Sequence, residues 1–206
     1  MTIVEGLALE GRPAQIPDCT REDLPQFFIE QGYKVGAEIG AYKGEFTASF
    51  AKVGLTIHAI DPWKAYIGAG RTQQAQERQD FLFGHTQRIL EPYHNAIVIR
   101  KTSMDALKDF ADGSLDFVYI DGDHSFPYIA ADIYEWTKKV RIGGVVSGHD
   151  YFNTPPHASN VLCHVKAAVD AYTRLYRMDR WYVIGRFRPE IDERHDKYLS
   201  WLWIRG

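Results

Sequence analysis

The sequence predicts an α/β fold built on a doubly wound sheet of seven strands, mostly parallel, with an antiparallel hairpin at the C-terminal edge. Short apolar runs alternate with longer amphipathic stretches, which is typical of βαβ units around a parallel sheet. The last two apolar runs are separated by a charged segment instead of a helix, which favours an antiparallel pair. A glycine-rich turn follows the first strand, so we expect a Rossmann-like sheet with its ligand beyond the strand ends.

The individual elements follow from local signals in chain order. Thr20 and the two acids after Arg21 resemble an N-cap and a first turn, and they predict a helix over residues 20–31. Apolar runs predict strands at residues 35–39, 55–60, 96–100, 115–120, 144–147, 181–184 and 201–204. Amphipathic stretches predict helices at residues 44–53, 76–90, 105–110, 126–139 and 161–176. The fourth strand is almost wholly apolar, which places it at the centre of the sheet.

Length and composition predict one domain over residues 1–206, with residues 1–32 as an N-terminal helical extension. A net charge of −3 without a basic stripe argues against a nucleic-acid partner. The sequence has neither a signal-peptide pattern nor an apolar run of about 20 residues, so we expect no membrane partner and a cytoplasmic location. The charge run at residues 186–197 predicts a solvated hairpin or a contact between copies in a homo-oligomer.

The turn after the first strand has the pattern Glu38-x-Gly40-x-x-x-Gly44. Glycines at such a turn let a ligand approach the backbone, and Glu38 can accept from a cationic or hydroxylated group. A dinucleotide site would carry G-x-G-x-x-G, and its pyrophosphate would lie beside this carboxylate, which is a poor match. Asp61, after the second strand, can accept from both hydroxyls of a ribose. A tight turn without a ligand, and an Asp-Pro turn at Asp61, are the plainer alternatives.

With these motifs the chain resembles the class I S-adenosylmethionine-dependent methyltransferases. The glycine turn looks like their first motif, Asp61 like their ribose-binding acid, and Ser103-Met104 like the pair that flanks the adenine. The resemblance implies S-adenosylmethionine as cofactor. The implied cofactor-binding residues are Glu38, Gly40, Ala41, Tyr42, Gly44, Asp61, Trp63, Ser103, Met104, Asp121 and His124.

The stretches "IDGDHSFPYIAADIYEW" and "GGVVSGHDY" are similar to a subgroup of small-molecule O-methyltransferases, including sugar and antibiotic-tailoring enzymes. This similarity implies a small-molecule acceptor, methylated on oxygen. Several members of the subgroup hold a divalent metal at the ends of strands four and five. The candidate walls of the acceptor site are residues 63–71, the loop at residues 151–160 and the N-terminal segment before Gly32. Trp63 and Tyr66 could stack on a ligand, with packing under a loop as the alternative for both.

Methyl transfer also requires removal of a proton from the acceptor, by a base or by a metal that lowers the acceptor's pKa. By comparison with the catechol-type pattern, Asp121, His149 and Asp150 would bind one divalent ion. The histidine departs from that pattern and suits zinc, iron or nickel better than magnesium. Alternatively, His149 is the general base, held by a neighbouring aspartate. Asp123 or Ser125 could be the N-cap of the following helix, and His124 could be a surface or capping residue.

Two other functions stay open at the level of sequence. The first is an NAD-dependent oxidoreductase on a similar sheet, although the third glycine of its motif is missing and no Tyr-x-x-x-Lys pair stands at a suitable place. The second is a non-catalytic protein that binds an adenosyl ligand. The three catalytic candidates, Asp121, His149 and Asp150, favour an enzyme over this last alternative.

Overall fold

The computed structural model describes residues 1–65, 76–154, 162–186 and 198–206. Its eight strands are β1 (Ala14–Ile16), β2 (Val35–Ile39), β3 (Thr56–Ile60), β4 (Ala96–Ile99), β5 (Leu115–Ile120), β6 (Val140–Gly148), β7 (Tyr182–Ile184) and β8 (Ser200–Ile204). The helices are α1 (Ile3–Gly6), α2 (Leu24–Glu30), α3 (Glu45–Lys52), α4 (Gln76–Leu90), α5 (Ser103–Ala106), α6 (Phe126–Lys139) and α7 (Val165–Leu175). Short 3₁₀ turns occur at Arg21–Asp23 and Leu107–Asp109.

The strands form one sheet in the order β1-β7-β8-β6-β5-β2-β3-β4. Strands β4, β3, β2, β5 and β6 pair in parallel, and β8 is antiparallel to both β6 and β7. The predicted fold class, a mostly parallel doubly wound sheet with a C-terminal antiparallel hairpin, is confirmed. Strand β5 is central, as its apolar sequence predicted.

The predicted number of strands was wrong, because β1 adds an eighth strand outside the hairpin. It pairs in parallel with β7, so β1 and not the hairpin forms that edge of the sheet. The same strand corrects the prediction that residues 1–32 are helical. Three residues are too few for a periodic pattern, and this strand is specified by its pairing with a distant segment.

Two apolar cores cover the two faces of the sheet, because alternate residues of β5 point to opposite sides. Val118 and Ile120 face the core formed with α6 and α7. Phe117 and Tyr119 face the other core, where Phe28 of α2 stacks on Phe117 with ring centroids 4.2 Å apart. Helix α2 and the turn before it therefore lie against the central strands.

The helices range from four residues in α1 and α5 to 15 residues in α4, which is the longest in the described part of the chain. None of the helices within the described ranges has the length and apolar character needed to cross a membrane.

Candidate active site

Most of the predicted site residues meet at one edge of the sheet. Glu38 lies near the end of β2, Asp61 follows β3, Asp121 follows β5, and His149-Asp150 follow β6. The parallel register aligns Ile39 with Ile60 and with Ile120, and Ile120 with Gly148. The next residues of these strands are therefore neighbours, and the sheet brings carboxylates and imidazoles together at its carboxyl edge.

A histidine between two carboxylates is the centre of this edge. The Nε2 atom of His124 lies 3.0 Å from Asp150 Oδ2 and 3.3 Å from Asp121 Oδ1. Burial alone would lower the pKa of His124, but the hydrogen bonds and charges of the two carboxylates outweigh it and raise the pKa to about 9. In return, His124 lowers the pKa of Asp150 against the effect of burial. At neutral pH this arrangement is an imidazolium shared by two carboxylates.

His149 contacts the same carboxylates more loosely. Its Nδ1 atom is 3.5 Å from Asp150 Oδ1 and 3.8 Å from Asp121 Oδ2. The ring is buried, and its Nε2 atom has no hydrogen-bond partner among the described residues. The backbone carbonyl of His149 accepts a hydrogen bond from Trp201 Nε1 at 3.1 Å. The Nδ1 side of the ring is thus the side that faces the cluster.

The group of side chains that could hold a metal ion differs from the predicted one. Ligand atoms of Asp121, His124 and Asp150 all lie within 4.8 Å of one another, so His124 takes the place predicted for His149. Two carboxylate oxygens and one imidazole nitrogen fit zinc or another transition metal better than magnesium. A metal could bind only when His124 has lost its proton.

The glycine turn is required by the fold itself. Gly40 has a φ of +92°, and a Cβ atom there would overlap the backbone carbonyl of Asp121, so only glycine lets the ends of β2 and β5 approach this closely. Gly44 has a φ of +77° and precedes α3, and its Cβ would lie 2.9 Å from Thr86 Cγ2. The amides of Gly40 and Ala41 both donate to the carbonyl of Ile60. The turn is consequently built by backbone contacts between β2, β3 and β5.

Glu38 is 3% exposed and accepts a hydrogen bond from Thr47 Oγ1 of α3. Burial raises the pKa of Glu38 to about 8, with the Thr47 hydrogen bond opposing the shift. The carboxyl group is therefore largely protonated at neutral pH. A ligand cation beside it would favour the ionised form.

Asp61 organises the turn that follows β3. Its Oδ1 accepts from the Trp63 amide at 2.7 Å, and its Oδ2 accepts from the Tyr42 amide at 3.1 Å. Burial raises the pKa of Asp61, and these two hydrogen bonds oppose the shift. Each oxygen keeps a second lone pair, which leaves room for the predicted contact with ribose hydroxyls.

Trp63 does not form a wall of the site. Its side chain is 1% exposed, its ring centroid lies 5.0 Å from that of Phe83, and its Nε1 donates to the Tyr42 carbonyl at 2.8 Å. The ring has no exposed face on which a ligand could stack, so the packing alternative is the correct one here. Tyr66, the second predicted wall residue, lies outside the described residues, as do residues 155–160 of the predicted loop and residues 187–197 of the charge run.

Ser103 and Met104 begin α5, at the end of β4. The Ser103 hydroxyl accepts from Trp136 Nε1 at 2.7 Å and donates to the buried carboxyl of Asp132. Burial raises the pKa of Asp132 to about 7. The hydroxyl is therefore occupied within the fold, while the half-exposed Met104 side chain is available to a ligand. The sequence analysis did not predict that Asp132 is a buried partner of Ser103, although its position on the apolar face of α6 indicated burial.

Asp123 holds the loop before α6. Its Oδ1 accepts from the backbone amide of Ser125 at 2.9 Å and from the Ser125 hydroxyl at 2.7 Å. These are the contacts of a turn, so Asp123 fixes the loop, and the N-cap of α6 is Ser125. For His124 the capping alternative was wrong, because its ring faces the carboxylates of Asp121 and Asp150.

The sequence predicted the N-terminal segment before Gly32 as a possible wall of the acceptor site, but it did not single out a charged residue of that segment at this edge. Arg21 comes from the N-terminal segment, and its Nη1 atom lies 3.9 Å from Asp121 Oδ2. Its guanidinium carbon is 5.2 Å from the centroid of the Phe46 ring. No local signal in the sequence relates Arg21 to a residue one hundred positions later.

Comparisons with known proteins agree with this geometry. A family described as "Methyltransferase domain" matches residues 37–151, which run from β2 through Asp150. Among curated proteins, the uncharacterized protein y4gI of Sinorhizobium fredii (strain NBRC 101917 / NGR234) is 30% identical over 92 residues. That match covers 45% of this chain and 10% of the relative, so it spans about a tenth of the relative's length.

Solved structures of methyltransferases share the fold. An O-methyltransferase from Bacillus cereus, in complex with S-adenosylhomocysteine, has a TM-score of 0.60 at 14% identity, covering 90% of this chain and 80% of that one. TomG from Streptomyces achromogenes, an O-methyltransferase involved in tomaymycin synthesis and in complex with S-adenosylmethionine, has 0.62 at 14%, covering 90% and 79%. An rRNA methylase from Streptococcus thermophilus has 0.59 at 14%, covering 91% and 98%.

Proposed function

This chain belongs to the Methyltransferase domain family, and on that premise we propose that it transfers a methyl group from S-adenosylmethionine to an oxygen of a small molecule. The observation that carries the proposal is the family match over residues 37–151. This range includes the glycine turn and the carboxylates and histidines at the carboxyl edge of the sheet. The match favours a methyltransferase over the NAD-dependent oxidoreductase that the sequence left open.

The cofactor is supported by two structural neighbours of the same fold, one in complex with S-adenosylhomocysteine and one with S-adenosylmethionine. Both are O-methyltransferases, which supports oxygen as the methylated atom. An rRNA methylase shares the fold as well, so fold similarity does not choose the acceptor. The net charge of −3 favours a small molecule, because a nucleic-acid partner normally requires a basic surface.

In the proposed site, the cofactor lies across the ends of β2, β3 and β5. Glu38 and the glycine turn face its methionine part, and Asp61 accepts from the ribose. Met104, after β4, contacts the adenine. Much of the rate of an in-line transfer comes from holding the acceptor oxygen next to the methyl group. We assign that task to the rim formed by the ends of β5 and β6.

The proton of the acceptor would leave towards His149. The Nδ1 atom of His149 faces Asp121 and Asp150 at 3.8 and 3.5 Å, and these carboxylates can stabilise the imidazolium that forms. His124 is less suited as a base, because its pKa is raised to about 9 and its ring is already protonated at neutral pH. In this assignment His124 holds the two carboxylates in place.

A metal is the alternative means of activating the acceptor. Asp121, His124 and Asp150 would hold it, and it would lower the pKa of an acceptor hydroxyl. Base and metal make different predictions. Chelation would leave the rate of the base mechanism unchanged, and it would abolish a rate that depends on the metal.

The test is the formation of S-adenosylhomocysteine from S-adenosylmethionine with a panel of phenols, sugars and other hydroxyl acceptors, with and without a chelator. We expect turnover with at least one acceptor, and His149→Gln and Asp150→Asn should each lower kcat at least about 100-fold. Asp112→Asn is the control, because this exposed carboxylate pairs with Lys139 away from the site. Cofactor binding without any turnover would favour the non-catalytic alternative, and unchanged rates in both site variants would refute the assigned roles.

A further inference from the structure

The N-terminal segment contributes a guanidinium group to the acidic edge of the sheet. Arg21 lies in the 3₁₀ turn before α2, and the backbone amide of Thr20 donates to Asp23 Oδ2 at 2.8 Å, which fixes the turn. Thr20 itself is buried. The Arg21 guanidinium lies over the ring of Phe46, which follows the glycine turn on α3. Backbone and side chain are thus both held in position beside the site.

The surroundings of Arg21 are strongly acidic. Its nearest site carboxylate is Asp121, at 3.9 Å from Nη1, and its charge acts also on Glu38 and Asp150, whose pKa values it helps to lower. Within the described residues, Arg21 is the only lysine or arginine at ion-pair distance from any of these three carboxyl groups. Its side chain is 32% exposed, and its Nε atom also lies 3.6 Å from Glu22 Oε1.

A ligand that carries both an ammonium and a carboxylate group is matched by a site that has carboxyl groups beside one guanidinium. The ammonium group of an amino-acid end matches carboxyl groups such as Glu38, but the carboxylate of the same end would be repelled by Asp121 and Asp150. Arginine presents a planar fork of donors that suits a carboxylate better than the point charge of lysine does. Arg21 is placed where that carboxylate needs a partner.

We propose that Arg21 binds a ligand carboxylate, namely that of the methionine part of the cofactor, which makes the N-terminal segment a part of the ligand site. This inference rests on the proposed function. The same chemistry could come from an acceptor that carries a carboxylate, and the two sources differ in which ligand loses affinity when the guanidinium is removed.

The experiment compares two ligands that differ at the amino-acid end. S-adenosylhomocysteine carries it, whereas 5′-methylthioadenosine keeps the nucleoside and the thioether without it. In calorimetric titrations, Arg21→Gln should weaken S-adenosylhomocysteine binding about 10- to 100-fold and leave methylthioadenosine binding unchanged. Arg21→Lys should restore part of the loss, because it keeps the charge without the fork.

The matched control is Arg141→Gln. The guanidinium carbon of Arg141 lies 5.2 Å from the ring centroid of Tyr33, and its Nε is 2.7 Å from Asp116 Oδ1. This repeats the stacking and the ion pair of Arg21 at the start of β5, the opposite end of the strand from the site. We expect Arg141→Gln to change the affinity of neither ligand.

The other results have defined meanings. Equal weakening of both nucleosides by Arg21→Gln would show a structural role and would overturn the proposal. If S-adenosylhomocysteine binding is unchanged, binding of 3,4-dihydroxybenzoate and catechol to the S-adenosylhomocysteine complex is compared. Selective loss of the benzoate would keep the carboxylate-binding role and assign it to the acceptor, whereas no effect on either would overturn it. Failure of the wild type to bind either nucleoside would refute the proposed function itself, and with it this inference.

Discussion

Replacing Asp132 with asparagine should change how the stability of the protein depends on pH. The carboxyl group is 4% exposed on the inner face of α6 and accepts a hydrogen bond from Ser103. Burial raises its pKa from 3.8 to about 7, and the charge of Asp123 acts in the same direction. The folded protein therefore binds this proton more tightly than the unfolded chain does.

The direction and size of the effect follow from linkage. A group whose pKa is raised by folding stabilises the fold fully below its unfolded pKa, and that contribution is lost as the pH rises through the folded value. At ~1.4 kcal/mol per pH unit, the wild type should lose about 2.5 kcal/mol from Asp132 between about pH 5 and pH 8. Asparagine does not ionise and can still accept from Ser103, so the variant escapes this loss.

The assay is denaturant unfolding of both proteins at the two pH values, followed by the fluorescence of the five tryptophans. Relative to the wild type, the unfolding free energy of Asp132→Asn should increase by about 2.5 kcal/mol between the lower and the higher pH. Asp112→Asn is the control, because Lys139 lowers the pKa of Asp112, and the difference between this variant and the wild type should not change between pH 5 and pH 8. A difference for Asp132→Asn that is independent of pH would show that Asp132 is already ionised at the lower pH, and would refute the reasoning.

Three further predictions concern the turn and its carboxyl groups. Gly40→Ala should lose at least about 3 kcal/mol more stability than Gly54→Ala in denaturant unfolding, because both residues have positive φ but only a Cβ atom at Gly40 would overlap a neighbouring backbone carbonyl. Equal losses in the two variants would contradict the packing role of Gly40. Thr47→Val should lower the free energy of unfolding by about 1–3 kcal/mol, and the loss should be larger above the Glu38 pKa of about 8, because the ionised carboxylate then lacks the hydroxyl that donates to it. A loss that does not change with pH would contradict this account. Asp61→Asn should weaken S-adenosylhomocysteine binding at least about 10-fold in a fluorescence titration, since the amide removes an acceptor from the proposed ribose contact; unchanged affinity would contradict that contact.

The sequence predicted the elements well wherever a long periodic run specified them. Helices α4 and α6 were predicted with the bounds that they have, because each presents an apolar stripe over several turns. Strand β1 could not be predicted, because its three residues owe their conformation to pairing with β7. Strand β6 begins earlier than predicted, at Val140, because the paired glycines Gly143-Gly144 obscured its first residues.

The location of the site was predictable, but its side-chain geometry was not. Parallel strands end at a common edge, so residues after β3, β5 and β6 had to be neighbours. Which histidine would lie between Asp121 and Asp150 depends on the path of the loop before α6, and the sequence favoured His149 where the structure has His124. The burial of Trp63 and the position of Arg21 next to Asp121 both depend on tertiary contacts, which local sequence patterns do not encode.

The most direct test of the central claim is a calorimetric titration of the wild-type protein with S-adenosylhomocysteine and, separately, with NAD. The proposed function predicts saturable binding of S-adenosylhomocysteine with one site per chain and no binding of NAD. Binding of NAD alone would contradict the methyltransferase assignment, and binding of neither would contradict the proposed adenosyl site.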